Sequence, residues 1–186
     1  MEHVRPSREQ PGYLNIGCGP HRAPAPWWNT DVVRDDRSGT WPDEITKPLQ
    51  NYGARSCHRI YMGHVLEHVP WVDVRAFLLF HMKQLVRNGE LAIVGPDVLR
   101  MIQQWRDQQV PWDLVLSGLE DSTPQDDLGD WKQARHWWNC HEQRVVAVMA
   151  SVGFANVEAV DIGALSGDWP VVGRDSWQMA VVGRRP

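Results

Sequence analysis

Short apolar runs alternate with amphipathic stretches along the chain, and this pattern predicts strands and helices in turn. Residues 13–16 and 27–33 are apolar and β-branched runs on either side of a Gly- and Pro-rich turn, which indicates two strands. A very short third strand is predicted within residues 44–49, and a longer one over residues 58–63. Gly and Pro flank these runs and set the predicted ends.

The clearest helix in the sequence spans residues 73–88, and a buried strand over residues 90–95 follows it at once. Asp73 suits the N-cap of this helix, and Gly89 suits the position just beyond its end. Its apolar face, at helical spacing, carries Val74, Phe77, Leu78, His81, Met82 and Leu85. We interpret His81 as a core histidine that is satisfied by a hydrogen bond, and not as a catalytic group.

The second half of the chain continues the alternation less regularly. Two further helices are predicted over residues 98–108 and 140–154, and Gly153 ends the second of them. Two further strands are predicted over residues 156–163 and 176–183, with a loop rich in Gly, Pro and Asp between them.

Strands that alternate with helices indicate parallel pairing and right-handed crossovers. We therefore predict a single α/β domain over residues 1–186, with a Rossmann-like doubly wound, mostly parallel sheet and an antiparallel hairpin at the C-terminal edge. Residues 1–11 form a polar lead-in, and residues 109–135 form a surface excursion or lid. Only seven residues, 20–26, lie between the Gly-Cys-Gly turn and the second strand, and three are Pro. The first crossover helix is therefore expected to be shortened or absent.

Composition narrows the classes of protein and of partner. A hydrophobic content of 42% and a charged content of 23% are globular values. The net charge of −4 disfavours nucleic acid and membrane surfaces as partners. Three widely spaced cysteines favour a reducing compartment. The sequence has no apolar leader and no run long enough to cross a membrane, so a cytoplasmic location is expected.

The stretch "YLNIGCGPHRAPAPWWNTDVV" combines a strand, a Gly-x-Gly turn and an acid at the end of the next strand. Glycines let the backbone approach a ligand closely, and exposed N–H groups can receive its anionic part. An acid at the end of the second strand can accept hydrogen bonds from ribose hydroxyls. This combination favours a nucleotide-like ligand.

The ordered set of "LNIGCGP", "HVLEHVP", "GELAIVGPD" and "HWWNCHEQ" resembles S-adenosylmethionine-dependent class I methyltransferases, most of all small bacterial ones in which a "hvLEHv" motif follows the fourth strand. The resemblance runs over nearly the whole chain, from about Tyr13 to Val182. It implies S-adenosylmethionine as the cofactor. It assigns Gly17, Cys18 and Gly19 to the methionine part, Asp31 to the ribose, Glu44 and Ile45 to the adenine, and Gly63 and His64 to the methyl end.

The shortened crossover departs from that family, because it removes a helix N-terminus that would face the carboxylate of the cofactor. We hypothesise that Arg22 or His21 supplies part of the missing positive charge.

Methyl transfer to a hydroxyl group needs a base that titrates near neutrality, which favours histidine. The candidates are His64, then His136, then His68. The acceptor is expected to be a sugar, a glycan or a small metabolite. The tryptophan pairs at 27–28 and 137–138 could stack on such a molecule. The oligomeric state stays open.

Two alternatives remain open. The chain could be a methyltransferase-fold protein that binds the cofactor or a partner protein without turnover. "HVLEH" also matches H-x-x-E-H, the motif of a zinc-dependent hydrolase that would use His64, Glu67 and His68. Gly63 and Pro70 disfavour the continuous helix that this motif needs, so no metal site is expected.

Overall fold

The computed structural model describes residues 7–18, 23–31, 41–42, 54–119, 136, 138–165, 169–171 and 175–186. The strands are β1 (Gly12–Ile16), β2 (Trp27–Asp31), β3 (Trp41–Pro42), β4 (Cys57–Gly63), β5 (Leu85–Pro96), β6 (Ala155–Val160) and β7 (Gln178–Arg184). The helices are α1 (Trp71–Gln84), α2 (Val98–Arg106), α3 (Trp112–Leu119) and α4 (Glu142–Val152). Two 3-10 turns lie at Leu66–His68 and Ile162–Leu165. No helix in these ranges is long and apolar enough to cross a membrane.

The described strands form one sheet in the order β3-β2-β1-β4-β5-β7-β6. The first five pair in parallel, and β7 runs antiparallel between β5 and β6. This confirms the predicted doubly wound, mostly parallel sheet with an antiparallel edge. The chain steps outward from β1 to β2 and β3 and then returns to β4 on the other side of β1. A crevice therefore opens beyond the carboxyl ends of β1 and β4, the place where such sheets bind ligands.

The two faces of the sheet are covered differently. One face holds the larger core, in which side chains of β1, β4, β5 and β7 pack against α1 and α4. On the opposite face, Trp27 and Tyr61 pack with small side chains such as Ala92 and Ala180. In the parts of the chain that are described, the cover of this second face comes from the 3-10 turn Ile162–Leu165, Trp169 and the link before β2.

The link between β1 and β2 lacks helix at all of its described residues, 17–18 and 23–26, in line with the prediction. Asn29, in β2, attaches this link to the sheet. Its Oδ1 accepts hydrogen bonds from the Ala23 amide, at 2.9 Å, and from Asn15 Nδ2, at 2.8 Å. Its Nδ2 donates to the Ala23 carbonyl at 3.0 Å. A buried side-chain amide thus fixes the end of a link that has no helical hydrogen bonds there.

The predicted helix 73–88 differs from α1 at both ends. Pro70, and not Asp73, is the N-cap residue. The helix ends at Gln84 because Leu85 already pairs with Cys57 of β4. Gly89 is therefore not a helix C-cap, and it lies inside β5. A Cβ there would come within 3.0 Å of the His58 carbonyl oxygen, so only glycine fits where β5 passes this close to β4.

Most other predicted elements are confirmed with shifted ends. Gly153 ends α4 in the left-handed conformation, as predicted. Within the segment predicted to be a surface excursion or lid, residues 109–135, the described part contains the helix α3. The apolar residues of this helix include Trp112 and the run 114–116, with Asp113 in its first turn. The strand predicted within 44–49 lies outside the described residues.

His81 is a buried core histidine, as predicted. It is 2% exposed, its Nδ1 lies 2.8 Å from Gln84 Oε1, and the rings of Phe77 and Phe80 meet it edge-on. Because an amide oxygen can only accept, Nδ1 carries the proton. Burial lowers the pKa of His81 from 6.5 to about 4, against the opposing effect of the Gln84 contact.

We expect the free energy of unfolding to fall by about 3 kcal/mol as the pH drops from about 6.5 to about 4, through this group alone. The unfolded chain binds a proton at His81 near pH 6.5, whereas the folded chain binds it only near pH 4. His81 therefore makes its full contribution to stability above pH 6.5, and this contribution is lost as the pH falls toward 4. Denaturant unfolding at several pH values measures this effect. The free energy of unfolding should change less steeply with pH for His81→Gln than for the wild type, and glutamine can keep a hydrogen bond to Gln84. An unchanged slope would contradict the assignment.

Candidate functional site

The residues that the sequence assigns to a ligand converge at the carboxyl edge of the parallel strands. Gly17 and Cys18 follow β1, Asp31 ends β2, Gly63 ends β4 and His64 follows it. Since β1 lies between β2 and β4, these positions share one edge of the sheet. The side chain of Asp31 is not described.

Gly17 is required by its backbone and by its surroundings. Its φ of +69° lies in the left-handed region that side chains disfavour. A Cβ at this position would lie 2.3 Å from Val65 Cγ2 and 3.2 Å from the Gly63 carbonyl oxygen. The turn after β1 therefore sits directly against the turn after β4, and glycine permits this approach.

The amides of this turn point back into the sheet. The Gly17 and Cys18 N–H groups both donate to the Thr30 carbonyl, at 2.9 and 3.2 Å. The expectation that exposed N–H groups receive an anion is therefore wrong for these two residues. Cys18 is also buried, at 6% exposure. The turn contributes shape at this point, and an anionic group would need other donors.

His64 stands at the centre of the edge in a fixed orientation. Its φ is +55°, and its amide donates to the Val94 carbonyl at 2.8 Å. Nδ1 lies 3.2 Å from Glu67 Oε1, and Nε2 lies 2.8 Å from Gln178 Nε2. The Gln178 Oε1 atom accepts from the Asp175 amide at 3.2 Å, which assigns Nε2 of Gln178 as the donor to His64. His64 is thus oriented with a proton on Nδ1 and a lone pair on Nε2.

The charges around His64 and Glu67 oppose the effect of burial. The His64 side chain is 41% exposed, and its partial desolvation would lower its pKa, but contact with the Glu67 carboxylate, together with the charges of Glu67 and Asp175, leaves the pKa raised. Burial would likewise raise the pKa of Glu67, but the contact with His64 and the charges of His64 and His68 leave it lowered. Glu67 is therefore an ionised carboxylate inside the protein.

Glu67 is 1% exposed and lies in the 3-10 turn after β4. Neither of its oxygens accepts a hydrogen bond of normal geometry from the described residues. On the β5 side, a Cβ at Gly95 would lie 3.3 Å from Glu67 Oε2, so the backbone of β5 packs close to the carboxylate. His68 and His136 complete the cluster, with one ligand atom of each residue within 4.8 Å of the others.

Trp138 holds the His136 segment against the turn that carries Glu67. Its Nε1 donates to the Leu66 carbonyl at 3.1 Å, and its ring lies 4.9 Å from that of Trp71. Trp138 is 8% exposed and Trp27 is 6% exposed. Both belong to the core, so the expectation that they stack on an acceptor is wrong. Nothing is described for the side chain of Trp137.

Sequence reasoning missed Gln178 and Gly95, both of which touch the candidate groups. Gln178 begins β7, which pairs with β5 and β6 and not with β4, so its contact with His64 after β4 arises only in three dimensions. Gly95 lies near the end of β5, directly before Pro96 and Asp97. A glycine inside a strand often indicates that another group approaches the backbone closely. Gly19, Arg22, Glu44 and Ile45 lie outside the described residues.

The H-x-x-E-H helix of the zinc-hydrolase alternative does not form. The helical part of the motif is a three-residue 3-10 turn, and His64 before it is left-handed. His64 contacts Glu67 and Gln178 instead of sharing a helical face with His68. His136 takes the place beside His68 that the motif would give to His64.

Two cavities of about 540 and 560 Å³ lie away from these groups. Both include Glu90, near the amino end of the paired part of β5. They open at the opposite edge of the sheet and do not bear on the chemistry of His64 and Glu67.

No protein-family model and no curated protein matches the sequence. Solved structures do match its fold. A SAM-dependent methyltransferase from Archaeoglobus fulgidus matches with a TM-score of 0.58 and 11% identity, over 95% of this chain and 87% of that one. A possible histamine N-methyltransferase from Thermotoga maritima gives 0.54 and 12%, over 94% and 82%.

The CurJ carbon methyltransferase gives a TM-score of 0.55 and 16% identity over 95% of this chain, which spans 49% of that protein. These proteins are distant in sequence. Two of their names give different methylated atoms, nitrogen in one and carbon in the other. What they share with this chain is architecture. The chain has the Rossmann-like fold of S-adenosylmethionine-dependent methyltransferases.

Proposed function

We propose that this chain transfers a methyl group from S-adenosylmethionine to a hydroxyl group of a sugar, a glycan or a small metabolite. We further propose that it belongs with the small bacterial methyltransferases that carry the "HVLEH" motif. The observation that supports this is the convergence of Gly17, Asp31, Gly63 and His64 at the switch-point crevice of a sheet with methyltransferase topology.

The described residues fit the cofactor through shape. Because Gly17 has no side chain, the turn after β1 packs directly against Val65 and the Gly63 carbonyl in the turn after β4 at the crevice. Asp31 would accept hydrogen bonds from the ribose hydroxyls, and Cys18, Gly19 and Gly63 would border the methionine part. Glu44 and Ile45 would lie near the adenine. Arg22 would face the carboxylate, since the Gly17 and Cys18 amides already donate to Thr30.

His64 is the proposed general base. When bound, the cofactor supplies an electrophilic methyl group, and the protein has to align the acceptor and remove its proton. Glu67 holds the Nδ1 side of His64, so that the lone pair of Nε2 points to the edge. The amide of Gln178 occupies that lone pair in this structure, at the point where an acceptor hydroxyl would donate. His136 and His68 are the second and third candidates.

Calorimetric titration with S-adenosylmethionine and S-adenosylhomocysteine tests the cofactor assignment. We expect both to bind, and Asp31→Ala to weaken both by at least about tenfold, because two hydrogen bonds to a charged acceptor are lost. Glu158→Ala, which removes an exposed carboxylate from β6, is the matched control and should bind as the wild type does. Absence of binding to the wild-type protein would refute the proposal.

A specific observation favours one second candidate, a cofactor-binding protein without turnover. Both ring nitrogens of His64 contact protein groups, which would suit a structural histidine. Incubation with labelled S-adenosylmethionine and a panel of sugars and hydroxylated metabolites separates the two functions. Labelled product supports transfer, whereas binding with no transfer to any member of the panel supports the second candidate.

A further inference from the structure

We propose that Glu67, His68 and His136 form a binding site for one divalent transition-metal ion of the zinc type. The site is distinct from the H-x-x-E-H arrangement, because His136 replaces His64 as the second imidazole. It adds to the proposed methyl transfer a component that the fold alone does not imply.

The chemistry of the three side chains selects this class of metal. Two imidazoles and one carboxylate suit Zn²⁺ and similar ions, whereas Mg²⁺ and Ca²⁺ prefer sites made of oxygen atoms. One ligand atom from each of the three residues lies within 4.8 Å of the other two. Ligands of a tetrahedral ion are about 3.3 Å apart when their bonds are about 2.0–2.1 Å long. A closure of up to about 1.5 Å by side-chain rotation would therefore complete the set.

The buried carboxylate supplies an independent argument. Glu67 is 1% exposed, and neither of its oxygens accepts a hydrogen bond of normal geometry from the described residues, although Oε1 is paired with His64 Nδ1. A buried charge is costly unless it is compensated, and the usual partners are an opposite charge or a metal ion. His64 contacts only one side of the carboxylate, at 3.2 Å. A metal ion between Glu67 and the two imidazoles would bind the other side of the carboxylate.

The scaffold holds the ligands from two parts of the chain. Glu67 and His68 lie on the turn after β4, and Trp138 attaches the His136 segment to the same turn through the Leu66 carbonyl. The rings of His68 and His136 are 4.9 Å apart, centre to centre. Three protein ligands leave a position open, as in catalytic zinc sites. A hydroxyl acceptor beside His64 would meet a Lewis acid there, a role that rests on the proposed function.

Metal titration of the chelator-treated full chain tests the site without any activity assay. We expect one Zn²⁺ per chain, and visible absorption bands from one bound Co²⁺. His136→Ala and Glu67→Gln should each raise the Kd for Zn²⁺ by more than about tenfold, since each removes one of three ligands. His58→Ala removes an exposed histidine of β4 that is remote from the cluster, and it should leave the Kd unchanged.

If Glu67→Gln does not fold, His136→Ala decides the test, because His136 itself lies in no helix or strand and thermal unfolding can verify that the variant is intact. Stoichiometric zinc bound by His136→Ala with the wild-type Kd would overturn the site. S-adenosylmethionine titration of the same samples separates the two proposals. Zinc binding without cofactor binding would refute only the methyl transfer, and cofactor binding without zinc binding would refute only the metal site.

Discussion

His64→Asn is expected to lower kcat by about 10²- to 10⁴-fold on the hydroxyl acceptor that the wild-type protein methylates, the range typical for loss of a general base. Asparagine tolerates the positive φ of this position and carries an N–H group that can face Glu67, as Nδ1 does. It lacks an atom in place of Nε2. The variant thus removes the proposed base while it preserves the backbone and the contact with the buried carboxylate.

Three controls define the meaning of that loss. The Kd for S-adenosylmethionine should stay within about twofold, because a base acts in the transition state and not in binding of the cofactor. His58→Ala should keep the wild-type kcat. Zinc binding should survive His64→Asn, which separates this residue from His68 and His136. If His64→Asn turns over at the wild-type rate, His64 is not the base.

Gly17→Ala is expected to destabilise the fold by about 2–5 kcal/mol, and to weaken cofactor binding by more than about tenfold. Two costs combine: the left-handed backbone costs a residue with a Cβ about 1–2 kcal/mol, and a forced overlap costs about 1–3 kcal/mol. The overlap arises because the new Cβ would lie 2.3 Å from Val65 Cγ2, so the turns after β1 and β4 must separate. Denaturant unfolding and calorimetry measure the two effects.

Gly153→Ala is the matched control for Gly17→Ala. Gly153 also has a positive φ, +109°, but the nearest atom to a Cβ there is Met82 Cε at 3.9 Å. This variant has the energetic cost of the left-handed backbone but no overlap of its Cβ with a neighbouring atom. The position lies at the end of α4, away from the candidate site. It should lose stability and keep the wild-type affinity for S-adenosylmethionine. Equal losses of affinity in both variants would show that the turn after β1 has no special role.

Local pattern was enough to predict the architecture. Alternating apolar runs predicted the parallel sheet, and the proline content of residues 20–26 predicted a first crossover without a full helix. The order of the glycine turn, Asp31 and "HVLEH" placed the candidate groups on one edge of the sheet. These features depend on residues close together in sequence, where spacing carries the information.

Long-range contacts decided what the pattern could not predict. The end of α1 depends on the pairing of Leu85 with Cys57. No residue near Gln84 in the sequence indicates that the helix ends there. The hydrogen bond between Gln178 and His64 joins residues 114 positions apart. Trp27 and Trp138 were expected at a binding surface, but large aromatic rings are equally suited to fill a core, and the topology buries them.

The position of β7 has a consequence for biosynthesis. It is the last of the described strands to leave the ribosome, yet it lies between β5 and β6 and supplies Gln178 to His64. Until it emerges, the nascent chain presents the open edge of β5 and cannot attach β6 to the rest of the sheet. Such an edge can pair with other chains, so the growing polypeptide is expected to need protection by chaperones until synthesis of β7 is complete.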